Sequence, residues 1–389
     1  MTPPPPTVHI DLAAFDRDPY PALARLRAEA PVAFVPELNS ILLTRRDDID
    51  HWEKQVDVFS SDQPAGLMNR LMGRNMMRKD GVEHTAERKL FMRAVSVAAV
   101  KDIWTARFQV HAERILDELA PRGHADLVAD YALPMAGECL KDMTGLTNVT
   151  AQDIDRWSRA MIDGIANYSG DQQVEARCHE ANAAIDAAID ARLRSLDIAT
   201  NASLLGVMLN GGMPLENVRN NIKLAISGGQ NEPRKAIAGC IWALLTHPDA
   251  LAEVKAGGIA WRQVLEEYVR WIAPIGMSPR RIAKEAVVGG VTLAPEARAF
   301  LMFGSANRDE AHFEHADRFM PGRDTSKAIA FGAGPHFCAG TWATRAMIAD
   351  VALPAIFARL PKLRLAPDAT FEMSGWAFRG LKRLDAVWA

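Results

Sequence analysis

The chain has 389 residues, 49% of them hydrophobic, and a formal charge of -3. That composition can bury a large core, and the near-neutral balance excludes the basic footprint of a nucleic-acid-binding surface. Four scattered cysteines, Cys139, Cys178, Cys240 and Cys338, fit neither a disulfide framework nor paired zinc ligands, so a reducing cytoplasm is expected.

The prolines at 3–6 favour an extended, flexible and solvated arm over residues 1–14 and cannot form the apolar core of a signal peptide. No run of about 18 apolar residues occurs, so no membrane partner is expected. Nothing from 15 to 389 reads as a linker, and one domain is expected there. Residues 19–30 carry apolar side chains at helical spacing. Ile41-Leu42-Leu43, then Thr44 and the charged Arg45-Arg46-Asp47-Asp48, reads as a strand entering a helix. Helical patterns follow at 100–120, 125–147, 151–168 and 174–195. The clearest spans 214–247, with Pro214 suited to a first turn and Pro248 as a stop. At 1.5 Å per residue it would be about 50 Å long. Within it, Gly228-Gly229-Gln230-Asn231-Glu232-Pro233 sets two glycines before a proline that cannot donate to the Gly229 carbonyl, and a kink or opening is expected there. Strands are expected at 286–293, at 299–302 and in the C-terminal tail. The fold class is mainly α with a minor β part.

The segment Phe331-Gly332-Ala333-Gly334-Pro335-His336-Phe337-Cys338-Ala339-Gly340 makes a tight loop before an amphipathic helix at 341–357. Cys338 sits where the loop enters that helix, and backbone N–H groups with the helix dipole can stabilise a thiolate there. Cys139, Cys178 and Cys240 lack such a context and read as small buried hydrophobes. The loop is similar at every specified position to the heme-binding signature of the cytochrome P450 superfamily, Phe-Gly-x-Gly-x-His-x-Cys-x-Gly. The resemblance implies the P450 fold, a triangular α-helical prism around a buried heme b. It implies Cys338 as the protein ligand to the iron, with Phe331 and Gly332 also at the cofactor.

Three further constellations carry the same resemblance. Glu267 and Arg270 stand one turn apart, a pairing common on solvated helices. Their place about 70 residues before Cys338 resembles the family's Glu-x-x-Arg motif, and Arg318 matches the later arginine to which that pair locks. The implied role is structural. His84 and Arg88, four residues apart, resemble the family's His-x-x-x-Arg pair on a heme propionate, and Arg281 and His336 match two more propionate contacts.

In the long helix the family usually carries Ala/Gly-Gly-x-Asp/Glu-Thr. Here Gly229 keeps the glycine, Asn231 takes the acid position and Glu232 the threonine position. The resemblance places Glu232 toward the heme, where an unpaired carboxylate is costly. Glu232, helped by Asn231 or water, is therefore expected to relay protons during oxygen activation. A carboxylate there also suits deprotonation of hydrogen peroxide.

Glu232-Pro233 resembles a smaller group in the superfamily, bacterial demethylases of methoxylated aromatic compounds. Residues 25–36, Gly304-Ser305-Ala306-Asn307 and Gly375-Trp376-Ala377-Phe378-Arg379-Gly380 resemble that group as well. Leu71 and Ile165 stand where a guaiacol-type demethylase carries aromatic residues, whereas Phe378 keeps the aromatic character. With Ile226 and Ile275 they form the expected apolar substrate wall, beside adaptable methionines at 68, 72, 76 and 77. The implied reaction is oxidation of a small apolar or aromatic substrate by dioxygen, as O-demethylation. Electrons would come from NAD(P)H through a ferredoxin/reductase-type donor, attracted by Arg88, Lys89, Arg93, Arg323, Lys327 and Arg345. The alternatives are a peroxide-dependent hydroxylase, a hydroxylase of terpenoids or fatty acids, and a heme sensor without turnover.

Overall fold

In a computed structural model, residues 2–167 and 170–388 are described. They divide into two units: Met1–Gln63 with Gly239–Cys338 and Thr370–Lys382, and Pro64–Ala238 with Ala339–Ala369 and Arg383–Ala389. The long helix Leu215–Thr246 is shared between them at Ala238 and Gly239.

The first unit is built on a five-stranded sheet of β1 (Val32–Val35), β2 (Ser40–Leu43), β3 (Phe59–Ser60), β4 (Ser278–Ile282) and β5 (Arg298–Leu301), in the order β1-β2-β5-β4-β3. The β2–β5 pair is parallel and the others are antiparallel. Ile41 and Leu43 pack with Phe59, Ile282 and Leu301 on one face. Leu42 packs on the other face with Leu23, Leu26 and Phe300, the two leucines coming from the helix Tyr20–Glu29. Both faces are covered, which is why this strand reads as a continuous apolar run rather than an alternation.

The expected 286–293 strand is a hairpin, Ala286–Val288 against Val291–Leu293. Gly289 and Gly290, at φ 56° and 84°, make the reversal. The N-terminal segment, expected to be flexible, is instead tied to the edge of the sheet and to this hairpin. Phe34 N–H donates to the Pro6 carbonyl, Val8 N–H to Phe34, and Thr292 N–H to Pro3. An edge strand leaves backbone groups unpaired, and an extended proline-rich segment with free carbonyls satisfies them. A helix, Leu12–Arg17, then starts inside the expected arm, capped by Asp11.

The second unit is helical, with Gly81–Val95, Thr105–Leu119, Leu133–Thr144, Ala151–Ile165 and Gln172–Leu193 as its principal helices before the long one. The expected 125–147 helix begins at Leu127, and a π-helical stretch, Val128–Ala132, runs into Leu133–Thr144. Residues His124–Asp126 form a strand with Asp385–Val387, which also pairs with Arg364–Leu365. Pro134 follows directly on the π-helical stretch, where the bond from the Leu133 N–H to the Val128 carbonyl replaces the regular ladder. Ala151–Ile165 opens with a reciprocal Thr150–Asp153 capping box. Residue 168 of the expected 151–168 helix lies outside the described residues.

The long helix runs on through Pro233, although the proline cannot donate to the Gly229 carbonyl. No described helix is long and apolar enough to cross a membrane.

Candidate active site

The cysteine loop belongs to the first unit. Cys338 N–H donates to the Phe331 carbonyl at 2.9 Å and Phe337 N–H to Gly334 at 3.1 Å, closing the loop on itself. Gly332 and Gly334 hold φ of 72° and 62°, where a side chain is strained. A Cβ on Gly332 would lie 2.9 Å from Glu53 Oε1, and one on Gly334 3.0 Å from Lys54 Cγ. Cys338 is exposed, while Cys139, Cys178 and Cys240 are buried. Burial pushes the Cys139 and Cys240 thiols well up, so neither suits a thiolate role. A closed loop presenting one accessible sulfur fits the single protein ligand of a heme. His336, in the turn Gly334–His336, and Phe331 are both partly exposed on the same loop.

Sequence reasoning missed the residue that braces this loop. Glu53, 2% exposed, ends the helix Arg46–Trp52. Its Oε2 accepts the Ala333 N–H at 2.8 Å, and its Oε1 lies 3.4 Å from Arg280 Nη2. Burial raises the Glu53 carboxyl to about 7, against the pull of Arg280 and the Ala333 N–H. Its partner is 280 residues away, and nothing in His51-Trp52-Glu53-Lys54 signals it.

Glu267 and Arg270 form the expected buried pair, each without solvent exposure. Arg270 Nε donates to Glu267 Oε2 at 2.6 Å and its Nη2 to Oε1 at 2.8 Å. The remaining guanidinium donors take the carbonyls of Asn307, Ala316 and Arg318. The expectation for Arg318 is therefore corrected. It contributes only its carbonyl, and its side chain is exposed. The second arginine on Glu267 is Arg323, with Nε 3.1 Å from Oε1, while the Met320 N–H donates to the same oxygen at 2.8 Å. The intervening loop turns the Arg318 backbone inward, where its carbonyl meets Arg270, so the side chain points out. Both arginines follow the motif at similar distance, and the sequence does not separate them.

On β4, Arg280 points inward to Glu53, and its neighbour Arg281 is partly exposed, as strand alternation requires. Arg281 Nε donates to the Asp62 carbonyl at 3.0 Å and its Nη1 to Glu296 at 2.6 Å. Ile275 and Phe378, both part-buried, meet in an isolated antiparallel bridge. A surface cavity of about 650 Å³ between His247 and Arg323 contains none of the expected substrate residues.

The other candidates lie in the second unit. His84 is buried and Arg88 partly exposed, one turn apart on Gly81–Val95. Between them Glu87, itself buried, pairs with Lys79 and accepts from Asn217 and Asn221, fastening this helix to the long one. Leu71 and Ile226 are buried and Ile165 is part-buried. Gly164, next to Ile165, would bring a Cβ 3.2 Å from Leu71 Cδ1.

Gly229 faces Leu140, whose Cδ1 would be 2.8 Å from an added Cβ. One turn on, Glu232 Oε2 is shielded from solvent with no hydrogen-bond partner. Its Oε1 has one long contact, from Asn231 Nδ2 at 3.5 Å. Asn231 Oδ1 accepts from Arg234 at 3.0 Å, and Arg234 pairs with Asp155 at 2.6 Å. Asp155 also takes Arg159 at 2.6 Å and Gln230 at 3.1 Å. Burial raises the Glu232 carboxyl to about 7, opposed by Lys235, Asn231 and Arg234, and lowers Lys235 to about 8. Asp155 was legible in the sequence. It falls on the buried face of its helix with Ile154, Ser158 and Met161, and a carboxylate at a core position announces a buried partner.

A model of the family described as Cytochrome P450 matches residues 261–359, which include Glu267, Arg270 and Cys338. The 6-deoxyerythronolide B hydroxylase of Saccharopolyspora erythraea is 30% identical over 374 residues, covering 92% of each chain. The pulcherriminic acid synthase of Bacillus subtilis is 26% identical over 388 residues, covering 94% of each. Among solved structures, P450BioI in complex with an acyl carrier protein ligated to hexadec-9Z-enoic acid superposes with a TM-score of 0.86 at 20% identity, over 97% of this chain and 100% of that one. Epothilone B-bound P450epoK gives 0.82 at 24% identity, over 96% and 98%. These likenesses show the fold, the relative at 30% identity shows the family, and the chain belongs to the cytochrome P450 family as a monooxygenase.

Proposed function

We propose that this P450 oxidises a small apolar or aromatic substrate, by O-demethylation of a methoxylated aromatic, with Glu232 as the group that handles protons. The observation that carries this reading is the shielded, unpartnered Oε2 of Glu232, in the place where the family usually has an alcohol. Cys338 is the thiolate ligand of heme b, with Phe331, Gly332 and Gly229 at the cofactor. His84, Arg88, Arg281 and His336 hold the propionates, Arg281 exchanging its Glu296 contact. Residues 15–389 act as one heme domain in the cytoplasm. When bound, the heme supplies reductive activation of dioxygen, with electrons from NAD(P)H through a ferredoxin-type donor.

Poised near neutrality, Glu232 can give up a proton and recover it. Asn231 touches it from one side, and Arg234, held by Asp155, fixes the Asn231 amide. Leu71, Ile165, Ile226, Ile275 and Phe378 are the apolar residues proposed to contact the substrate. Hydroxylation of the methyl ether gives a hemiacetal, which collapses to a phenol and formaldehyde, while the second oxygen atom leaves as water. The Glu-Pro pair at 232–233 supports the demethylase grouping. Glu232 also supports a second reading, in which its carboxylate deprotonates hydrogen peroxide and no electron donor is needed.

The test is to titrate heme-loaded protein with methoxylated phenols and benzoates, then assay formaldehyde. A low-spin to high-spin shift with formaldehyde release under NAD(P)H and a donor supports the reading. Release with peroxide alone favours the second. No shift across the panel rejects the aromatic substrate class and leaves terpenoid or fatty-acid hydroxylation.

A further inference from the structure

Glu53 takes no part in the chemistry above, yet the cysteine loop is fitted around it. Its Oε2 holds the Ala333 N–H, which lies between the two glycines of positive φ. Its Oε1 occupies the space beside Gly332 that a Cβ would need. Arg280, 2% exposed, approaches it from β4 and keeps the carboxylate in place. Lys54, the next residue, packs against Gly334. One carboxylate thus fixes the loop five residues before Cys338 and in the same turn as Phe331, whose carbonyl accepts the Cys338 N–H.

Two left-handed glycines open many conformations to a loop. The hydrogen bond at Ala333 is an external restraint on that freedom. We infer that Glu53 is the positioning residue for Cys338, holding the loop so that the sulfur keeps the direction a thiolate ligand needs. The inference rests on the reading of Cys338 as the heme ligand. Supports behind a ligand commonly set its geometry and electron donation.

The experiment uses the heme-loaded full chain, reduced and bound to carbon monoxide, whose spectrum separates thiolate-ligated heme from heme with a protonated or lost thiol. Reduction potential is measured in parallel. Three variants divide the possibilities. Glu53→Ala removes the acceptor, Glu53→Asp keeps the charge but is too short to reach Ala333, and Glu53→Gln keeps an acceptor without the charge. The expected result is a thiolate-type spectrum in wild type and Glu53→Gln. Glu53→Ala and Glu53→Asp are expected to lower the ratio of thiolate to thiol form about tenfold and to raise the reduction potential, the scale of one lost buried hydrogen bond. If Glu53→Ala fails to retain heme, the contrast between Asp and Gln decides. Wild-type spectra and potential in Glu53→Asp, or a loss in Glu53→Gln alone, would overturn the inference. A wild type without the thiolate-type spectrum would instead reject Cys338 as the ligand.

Discussion

Glu267, fully buried, and Glu232, with one oxygen shielded from water, are both helix carboxylates, and they are equipped in opposite ways. Glu267 has both oxygens occupied, by Arg270 twice, by the Met320 N–H and by Arg323. Glu232 has one long contact and one shielded oxygen without a partner. A carboxylate ringed by cations and N–H groups serves as an anchor. One whose oxygens are left without close donors lowers its cost by holding a proton, even with Lys235 and Arg234 nearby. On the proposed function, the comparison separates scaffold from chemistry among groups of one residue type. Glu53 stands between them, with one N–H donor and an arginine at 3.4 Å.

The sharpest way to break this contrast is to disarm the anchor. Glu267→Gln leaves Arg270 buried against a neutral amide, and it should cost about 3–5 kcal/mol of stability. Thermal melting and heme content will show whether the folded, heme-binding state survives, and an unchanged melt would erase the distinction.

The intermediate case is tested through pH. The folded-state Glu53 carboxyl sits near 7, above its ordinary 4.5, so the folded protein binds more protons than the unfolded chain in that interval. Its contribution is fully present below 4.5 and is lost as pH rises through 7, about 3 kcal/mol in all. Glu232, raised likewise to about 7, acts with the same sign. Urea midpoints of the heme-free protein should therefore fall from pH 4.5 to 7 and fall less in Glu53→Gln.

A smaller effect is expected at the support of Glu232. Asp155→Asn removes the counter-charge of Arg234, leaving a less compensated cation beside Asn231 and Glu232. The added positive potential favours the Glu232 anion, so the pH–rate profile should move to lower pH with a several-fold loss of turnover at neutrality. The smallest effect belongs to Arg318→Ala. Only its backbone carbonyl is used, and the change should stay within about 0.5 kcal/mol, whereas Arg323→Ala should exceed it in the same melting assay.

What was legible in the sequence is what is local. The cysteine loop is one continuous stretch whose glycines are dictated by positive φ, and the Glu267–Arg270 pair is one helical turn. The reading of 286–293 as one strand failed because Gly289-Gly290 is itself a hairpin turn. Glu53 and Arg323 could not be singled out, because their partners are brought close only by the fold. The tethering of the N-terminal segment was hidden for the same reason, since the edge of β1 that receives it is a property of the sheet.

The central claim is that Glu232 handles protons while Glu267 and Glu53 hold the frame. The most direct measurement is product formed per NAD(P)H consumed in Glu232→Gln, with its ferrous–carbonyl spectrum recorded on the same sample. The account predicts an unchanged thiolate-type spectrum with product formation lowered about 10²–10⁴-fold. An unchanged spectrum with wild-type turnover and coupling would contradict it.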